Sequence, residues 1–143
     1  MKANELMVGD LVYSTFCDKP CKVVGIEQYE SEYAVVKVTN VSGAKDIQSL
    51  TPIPLTPEIL EKNEFNILRD AYGMSDPFWS YSNRSVLVDV TIIRTNNVKV
   101  IDWFNVKIST RNDIKQISFC GVKYVYQLQH ALRLCGIEKE IVL

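Results

Sequence analysis

A single histidine, His130, occurs in 143 residues. That scarcity removes two-histidine metal sites, histidine relays and any catalytic triad not built on this one ring. The six glycines stand singly, so there is no glycine-rich loop to cradle a phosphate. No stretch approaches the roughly 20 apolar residues that a membrane-spanning helix needs. Residues 1–6 also lack an apolar run of leader-peptide length. The expectation is a cytoplasmic protein with no membrane partner. An excess of one charge is missing too: 16 Lys and Arg stand against 17 Asp and Glu, a net charge of -1, which excludes a global attraction to nucleic acid.

What is present is an ordinary globular composition, 47% hydrophobic and 23% charged, in a chain long enough to bury a core without metals or disulfides. The four cysteines, Cys17, Cys21, Cys120 and Cys135, read as reduced thiols in a reducing compartment.

The opening, Leu6-Met-Val-Gly-Asp-Leu-Val-Tyr13, leads into a run of short β-rich segments. Asp10–Phe16, Cys21–Tyr29 and Tyr33–Thr39 read as strands rich in Val and Ile, with Asp46–Leu50 a short fourth. Cys17-Asp-Lys-Pro20 is turn-like, and Gly25 is a position for a bulge or barrel corner. Turns at this spacing predict a small, strongly bent barrel of the SH3-like kind over residues 1–55. Pro52, Pro54 and Pro57 fall within six residues and mark the boundary of this module.

Residues 56–143 form the second expected module. Thr56 suits an N-cap, Pro57 the first helical position and Glu58 the first turn, predicting a short helix to Asn63. Residues 64–82 mix aromatic and turn residues and carry no periodic signal. Ser85–Thr95 is the strongest strand signal in the chain. Asn96-Asn97 makes a hairpin turn, and the return strand to Ile108 places Phe104, Val106 and Ile108 on one face. Ile114–Cys120 completes a three-stranded meander. Val125, Leu128, Leu132 and Cys135 then recur at helical spacing, with Ala131 beside them and Gly136 suited to end the helix. Ile137–Leu143 reads as a further strand. The fold class is therefore α+β: an SH3-like barrel, then an antiparallel meander packed with a C-terminal helix.

Three stretches, Met1–Val12, Pro52–Phe65 and Tyr124–Ile141, together resemble an uncharacterised family of small bacterial and phage proteins from the genomes and mobile elements of gut anaerobes. They cover roughly a third of the chain. The resemblance implies a two-part frame and a bacterial or phage cytoplasmic origin, and it implies no activity. Two positions depart from that pattern: Glu64 stands where a helix-closing glycine is expected, and Tyr126 where histidine is common.

Constellations with chemical potential are few. His130 could serve Cys120 or Cys135 as a base, since a thiolate needs a nearby imidazole or cation, but Cys135 lies in the apolar stripe and His130 is offset from it. Cys17-x3-Cys21 with Cys120 and either Cys135 or His130 is looser than zinc-knuckle spacing. Asp89 and Asp102 interrupt apolar strands and could form an acid-base pair across the hairpin. None of these makes a catalytic set, and no cofactor or metal is expected. From residue 84 to 123, seven basic residues face three acidic ones, a local excess of 4, which motivates nucleic-acid binding as an alternative. The aromatic segment Tyr72, Phe78, Trp79 and Tyr81, with Arg84 and the separate Trp103, is the better candidate surface, because aromatics and Arg dominate interface hot spots. The reading that follows is a non-enzymatic interaction or accessory module with a protein partner.

Overall fold

The computed structural model describes residues 3–29, 33–39, 42–43, 45–68, 76–83, 86–94, 103–110 and 116–143. The chain divides into two compact units, one of residues 1–54 with 124–126 and one of residues 55–123 with 127–143. Each is built on a five-stranded antiparallel sheet, and helices are few.

In the first unit the Val-Gly-Asp opening is a tight turn. Asp10 N–H donates to the Met7 carbonyl, the Met7 N–H returns a bond to Asp10 Oδ2 at 2.7 Å, and Gly9 takes φ 93, a conformation a Cβ would resist. The turn feeds β1 (Leu11–Ser14), which pairs with β2 (Lys19–Tyr29). β2 pairs with β3 (Tyr33–Val38), with a register shift between Val23 and Gly25 that bears out the bulge. The expected fourth strand is divided: β4 (Lys45–Asp46), a 3-10 turn (Ile47–Ser49) and β5 (Leu50–Pro52) take its place. β5 returns to the far side of β1, giving the order β4-β3-β2-β1-β5 in a curled sheet. Pro52 is tolerated because β5 is an edge strand. The core gathers Leu6, Val12, Val23, Val36, Val38, Leu50 and Cys21, and is completed by Tyr126. Tyr124 stacks on Tyr126, with ring centroids 5.9 Å apart.

The second unit opens with α1 (Pro57–Lys62). Thr56 caps it, its hydroxyl oxygen accepting from Ile59 N–H at 3.4 Å. The same hydroxyl, first among the causes, holds the Glu58 carboxyl below its usual range. Residues 64–82, silent as sequence, contain two strands, β6 (Asn66–Leu68) and β7 (Phe78–Asn83). With β8 (Val86–Ile93), β9 (Trp103–Thr110) and β10 (Gln116–Val122) they make a sheet of order β10-β9-β8-β7-β6, five strands where three were expected. The hairpin turn at Asn96-Asn97 lies outside the described residues. Alternation decides the faces: Val88, Val90, Phe104, Val106 and Ile108 are buried, while Asp89, Thr91, Asn105 and Lys107 alternate with them on the opposite face.

α2 (Val125–Leu134) buries Val125, Leu128, Ala131 and Leu132 as its spacing predicts. Gly136, at φ 71, closes it: its N–H donates to the Arg133 carbonyl and the Ile137 N–H to the Leu132 carbonyl, the pair of bonds of a Schellman motif. The tail is not a strand. It runs irregularly with Ile137 and Ile141 buried, and Asn63 holds it, donating to the Val142 carbonyl at 2.7 Å and accepting from the Val142 N–H at 2.8 Å.

Candidate functional site

On its outer face the second sheet is hollowed into a groove of about 440 Å³, lined by Phe78, Leu87, Asp89, Thr91, Asn105, Lys107, Ser109 and Gln116. The volume lies within the range of small-ligand and peptide sites. Cross-strand register builds the lining: Phe78 stands opposite Thr91, Thr91 opposite Asn105, Asp89 opposite Lys107 and Leu87 opposite Ser109. The Thr91 hydroxyl donates to the Asn105 carbonyl at 3.4 Å. Phe78 and Leu87 supply apolar lining, the hydroxyl and amide side chains supply directional hydrogen bonding, and one carboxylate and one ammonium face each other. Cys120, exposed, donates from Sγ to Asn105 Oδ1 at 3.5 Å.

The aromatic candidates divide. Trp79 is 2% exposed, packed edge-on to Phe104 with its ring N–H donating to Glu61 at 3.2 Å. It is core, on the opposite sheet face from the groove. Phe78, its neighbour in β7, is 5% exposed and turns to the groove side. The Tyr81 ring lies 5.3 Å from that of Phe65 and under the Lys139 ammonium at 4.4 Å, a structural stack. Trp103 falls on the groove face by its register in β9, half-buried, with the Lys123 ammonium 5.6 Å from its ring. Tyr72 and Arg84 lie outside the described residues.

Comparisons with protein-family models, with curated proteins and with solved structures yield no match.

The other constellations resolve as follows. Of the basic residues in the 84–123 segment, Arg94 pairs with Asp76 at 2.8 Å, Lys107 faces Asp89 and Lys123 covers Trp103; Arg84, Lys99, Arg111 and Lys115 lie outside the described residues. So does Asp102, proposed partner of Asp89, whose opposite residue in β9 is Lys107. His130 is half-buried on α2 and Cys135 half-buried beyond its end, where burial raises the thiol pKa. Among the described residues no group of three or more His, Cys, Asp and Glu could hold a metal ion.

The sequence did not point to the closeness of Cys17 and Cys21. In the β1–β2 hairpin their sulfurs stand 3.5 Å apart. Cys17 is half-buried in the turn and Cys21 buried on β2. The Ser14 hydroxyl, followed by Cys21 and the Lys19 backbone and charge, lowers the Cys17 pKa. Burial, followed by the neighbouring Cys17, pushes that of Cys21 up to about 11. The visible signal was the Cys-x3-Cys spacing; the hairpin register that closes the gap was not visible.

Proposed function

We propose that this protein is a non-enzymatic binding module that holds an extended segment of a partner protein along the groove of its second sheet. The observation that carries the reading is the character of that groove: two apolar residues, Phe78 and Leu87, neutral hydroxyl and amide side chains, and one balanced pair of charges, Asp89 opposite Lys107. Such a lining suits a peptide backbone with alternating side chains. A polyanion would need uncompensated cations there. Among the described lining residues there is no imidazole to activate the Thr91 or Ser109 hydroxyl, which supports binding over turnover.

The first unit acts as a scaffold or second docking element. Its strand order, with a 3-10 turn entering the strand that closes on β1, supports an SH3-like barrel. The module works in a bacterial or phage cytoplasm, a reducing compartment.

The test is selection of peptides from a displayed random library on the purified full chain, followed by calorimetric titration of the chosen peptide into wild type, Thr91→Arg and Lys107→Glu. Thr91→Arg fills the groove and Lys107→Glu unbalances it. Each is expected to weaken binding at least about tenfold, roughly 1.4 kcal/mol. Peptides that bind both variants as they bind wild type would remove the groove from the function. Binding of single-stranded DNA or RNA at low salt that weakens steeply as salt rises, with no peptide selected, would replace the reading by the nucleic-acid one.

A further inference from the structure

We propose that Cys17 and Cys21 form a redox-active dithiol in the first unit, with Cys17 as the attacking thiol and Cys21 as the resolving thiol, closing to an intrachain disulfide on exposure to a low-molecular-weight disulfide. The sulfurs are 3.5 Å apart, so bond formation needs a closure of about 1.5 Å, within reach of a side-chain rotation in a turn.

The two positions differ in the way the chemistry requires. Cys17 sits in the hairpin turn and is only half-buried, so a small disulfide can reach it. Cys21 is 2% exposed and shielded by the unit's core. The turn is held at both ends. Thr15 donates from its N–H and its hydroxyl to the Ser49 carbonyl, each at 3.0 Å. The Tyr13 hydroxyl donates to Asp18 Oδ1 at 2.6 Å, offsetting the carboxylate next to Cys17. Asp18 itself takes φ 52, turning the chain back toward β2. Close to Cys17 is Ser14, fully buried, whose hydroxyl has no hydrogen-bond partner of regular geometry among the described residues. A buried hydroxyl without a partner is costly unless it is used, and beside Cys17 it can donate to a thiolate. Electrostatics agrees: Cys17 ionises more readily than an ordinary thiol and Cys21 less so, which divides the roles as thiol–disulfide exchange demands.

The step balances. Cys17 thiolate attacks one sulfur of the small disulfide, forming a mixed disulfide and releasing one thiolate. Cys21 loses its proton to solvent, and its sulfur attacks Cys17 Sγ, releasing the second thiolate. Both released thiolates take up protons. Two protein thiols are oxidised to one disulfide while one small disulfide is reduced to two thiols.

The experiment equilibrates the full chain with oxidised and reduced glutathione, blocks remaining thiols and maps peptides by mass spectrometry. Lys19 precedes Pro20, so trypsin leaves both cysteines in one peptide, residues 3–22. In wild type this peptide is expected to lose the mass of two hydrogens. Cys21→Ser is expected to trap glutathione on Cys17, and Cys17→Ser to leave Cys21 unmodified, both with wild-type circular dichroism. The folded pair should reach half-oxidation at an oxidant share at least about tenfold lower than the urea-unfolded chain. In a second readout, the rate of Cys17 alkylation should reach half its maximum at a lower pH than in the urea-unfolded chain, and Ser14→Ala should move that midpoint up. The proposal is overturned if Cys120 collects glutathione while the peptide stays reduced, or if the folded pair needs as much oxidant as the unfolded chain. These outcomes do not depend on the groove of the second sheet.

Discussion

Glu64 holds its backbone at φ 64, a left-handed conformation that costs an ordinary residue roughly 1 kcal/mol or more. What keeps it there is the end of α1. The Glu64 N–H donates to the Glu61 carbonyl and the Phe65 N–H to the Leu60 carbonyl, and Phe65 is buried. This is the same pair of bonds that closes α2, where the left-handed position belongs to Gly136 and the buried residue beyond it is Ile137. The side chain of Glu64 offsets part of the strain by pairing with Lys139 at 3.0 Å, but it is 79% exposed, and such a pair contributes little. Comparing Glu64→Gly with Glu64→Ala separates backbone from side chain, because both lose the pair and only glycine relieves the strain. Urea denaturation should find the glycine variant more stable than the alanine variant by about 1 kcal/mol. Equal stabilities would mean that the left-handed turn is not what closes the helix. The resemblance expected glycine at this position; the structure keeps the glycine conformation with glutamate in place. That stop was hard to read in the sequence because its signal, a buried Phe one residue further on, acts through packing and not through backbone preference.

Elements whose faces differ strongly were legible, and those whose faces do not were not. β8 and β9 alternate Val and Ile with polar residues, so strand and face both follow from the period of two. β7 begins with Phe78 and Trp79 on opposite faces, both buried, which breaks the period of two at its start and leaves only Ser80 and Ser82 to mark the outer face. β6 has three residues, too few for any period. The groove was illegible for a related reason: Asp89, Thr91, Asn105 and Lys107 look like the ordinary solvent positions of an amphipathic strand, and only sheet curvature and register make them a lining. The C-terminal tail reads as a strand because of Ile137, Ile141 and Val142, whereas the hydrogen bonds that hold it come from a side chain. Asn63 is 4% exposed and imitates a neighbouring strand, meeting the N–H and C=O of Val142 while also donating to the Ile59 carbonyl at 2.7 Å. Lys62 adds a bond to the Leu143 carbonyl. Asn63→Ala leaves these backbone groups unmet, at an expected cost of about 2 to 4 kcal/mol. Carboxypeptidase should then trim the variant past Val142 under conditions where wild type resists. Equal resistance would mean that Asn63 is not what holds the tail, leaving its hold to Ile137, Ile141 and the Lys62 and Lys139 contacts.

At the scale of the whole molecule, sequence order and compact unit do not coincide, and Tyr126 is where the difference has consequences. The first unit is not residues 1–54 alone: Tyr124 and the first two residues of α2, Val125 and Tyr126, belong to it. Pro54 bridges to Tyr124, the Val125 N–H donates to the Ile53 carbonyl at 2.9 Å, and Tyr126 is buried in a core with Leu6, Val12 and Val36. Burial, with the charges of Glu5, Tyr124 and Asp10 adding to it, raises the Tyr126 pKa, so the phenol stays neutral at working pH. A sheet this small has little margin, because a unit of some 57 residues buries a modest fraction of its surface. Removing a large aromatic ring from such a core costs about 3 kcal/mol or more, which approaches the whole stability of a domain of this size. Tyr126→Ala in the full chain should therefore speed amide hydrogen exchange at Val23 and Val36 in the first sheet by at least about a hundredfold, the equivalent of roughly 3 kcal/mol. A fragment of residues 1–54 should show no cooperative thermal transition, since it lacks the same ring and the backbone bonds beside it. A sharp melt of that fragment would mean that the first sheet closes its own core, and that α2 starts on the first unit without completing it.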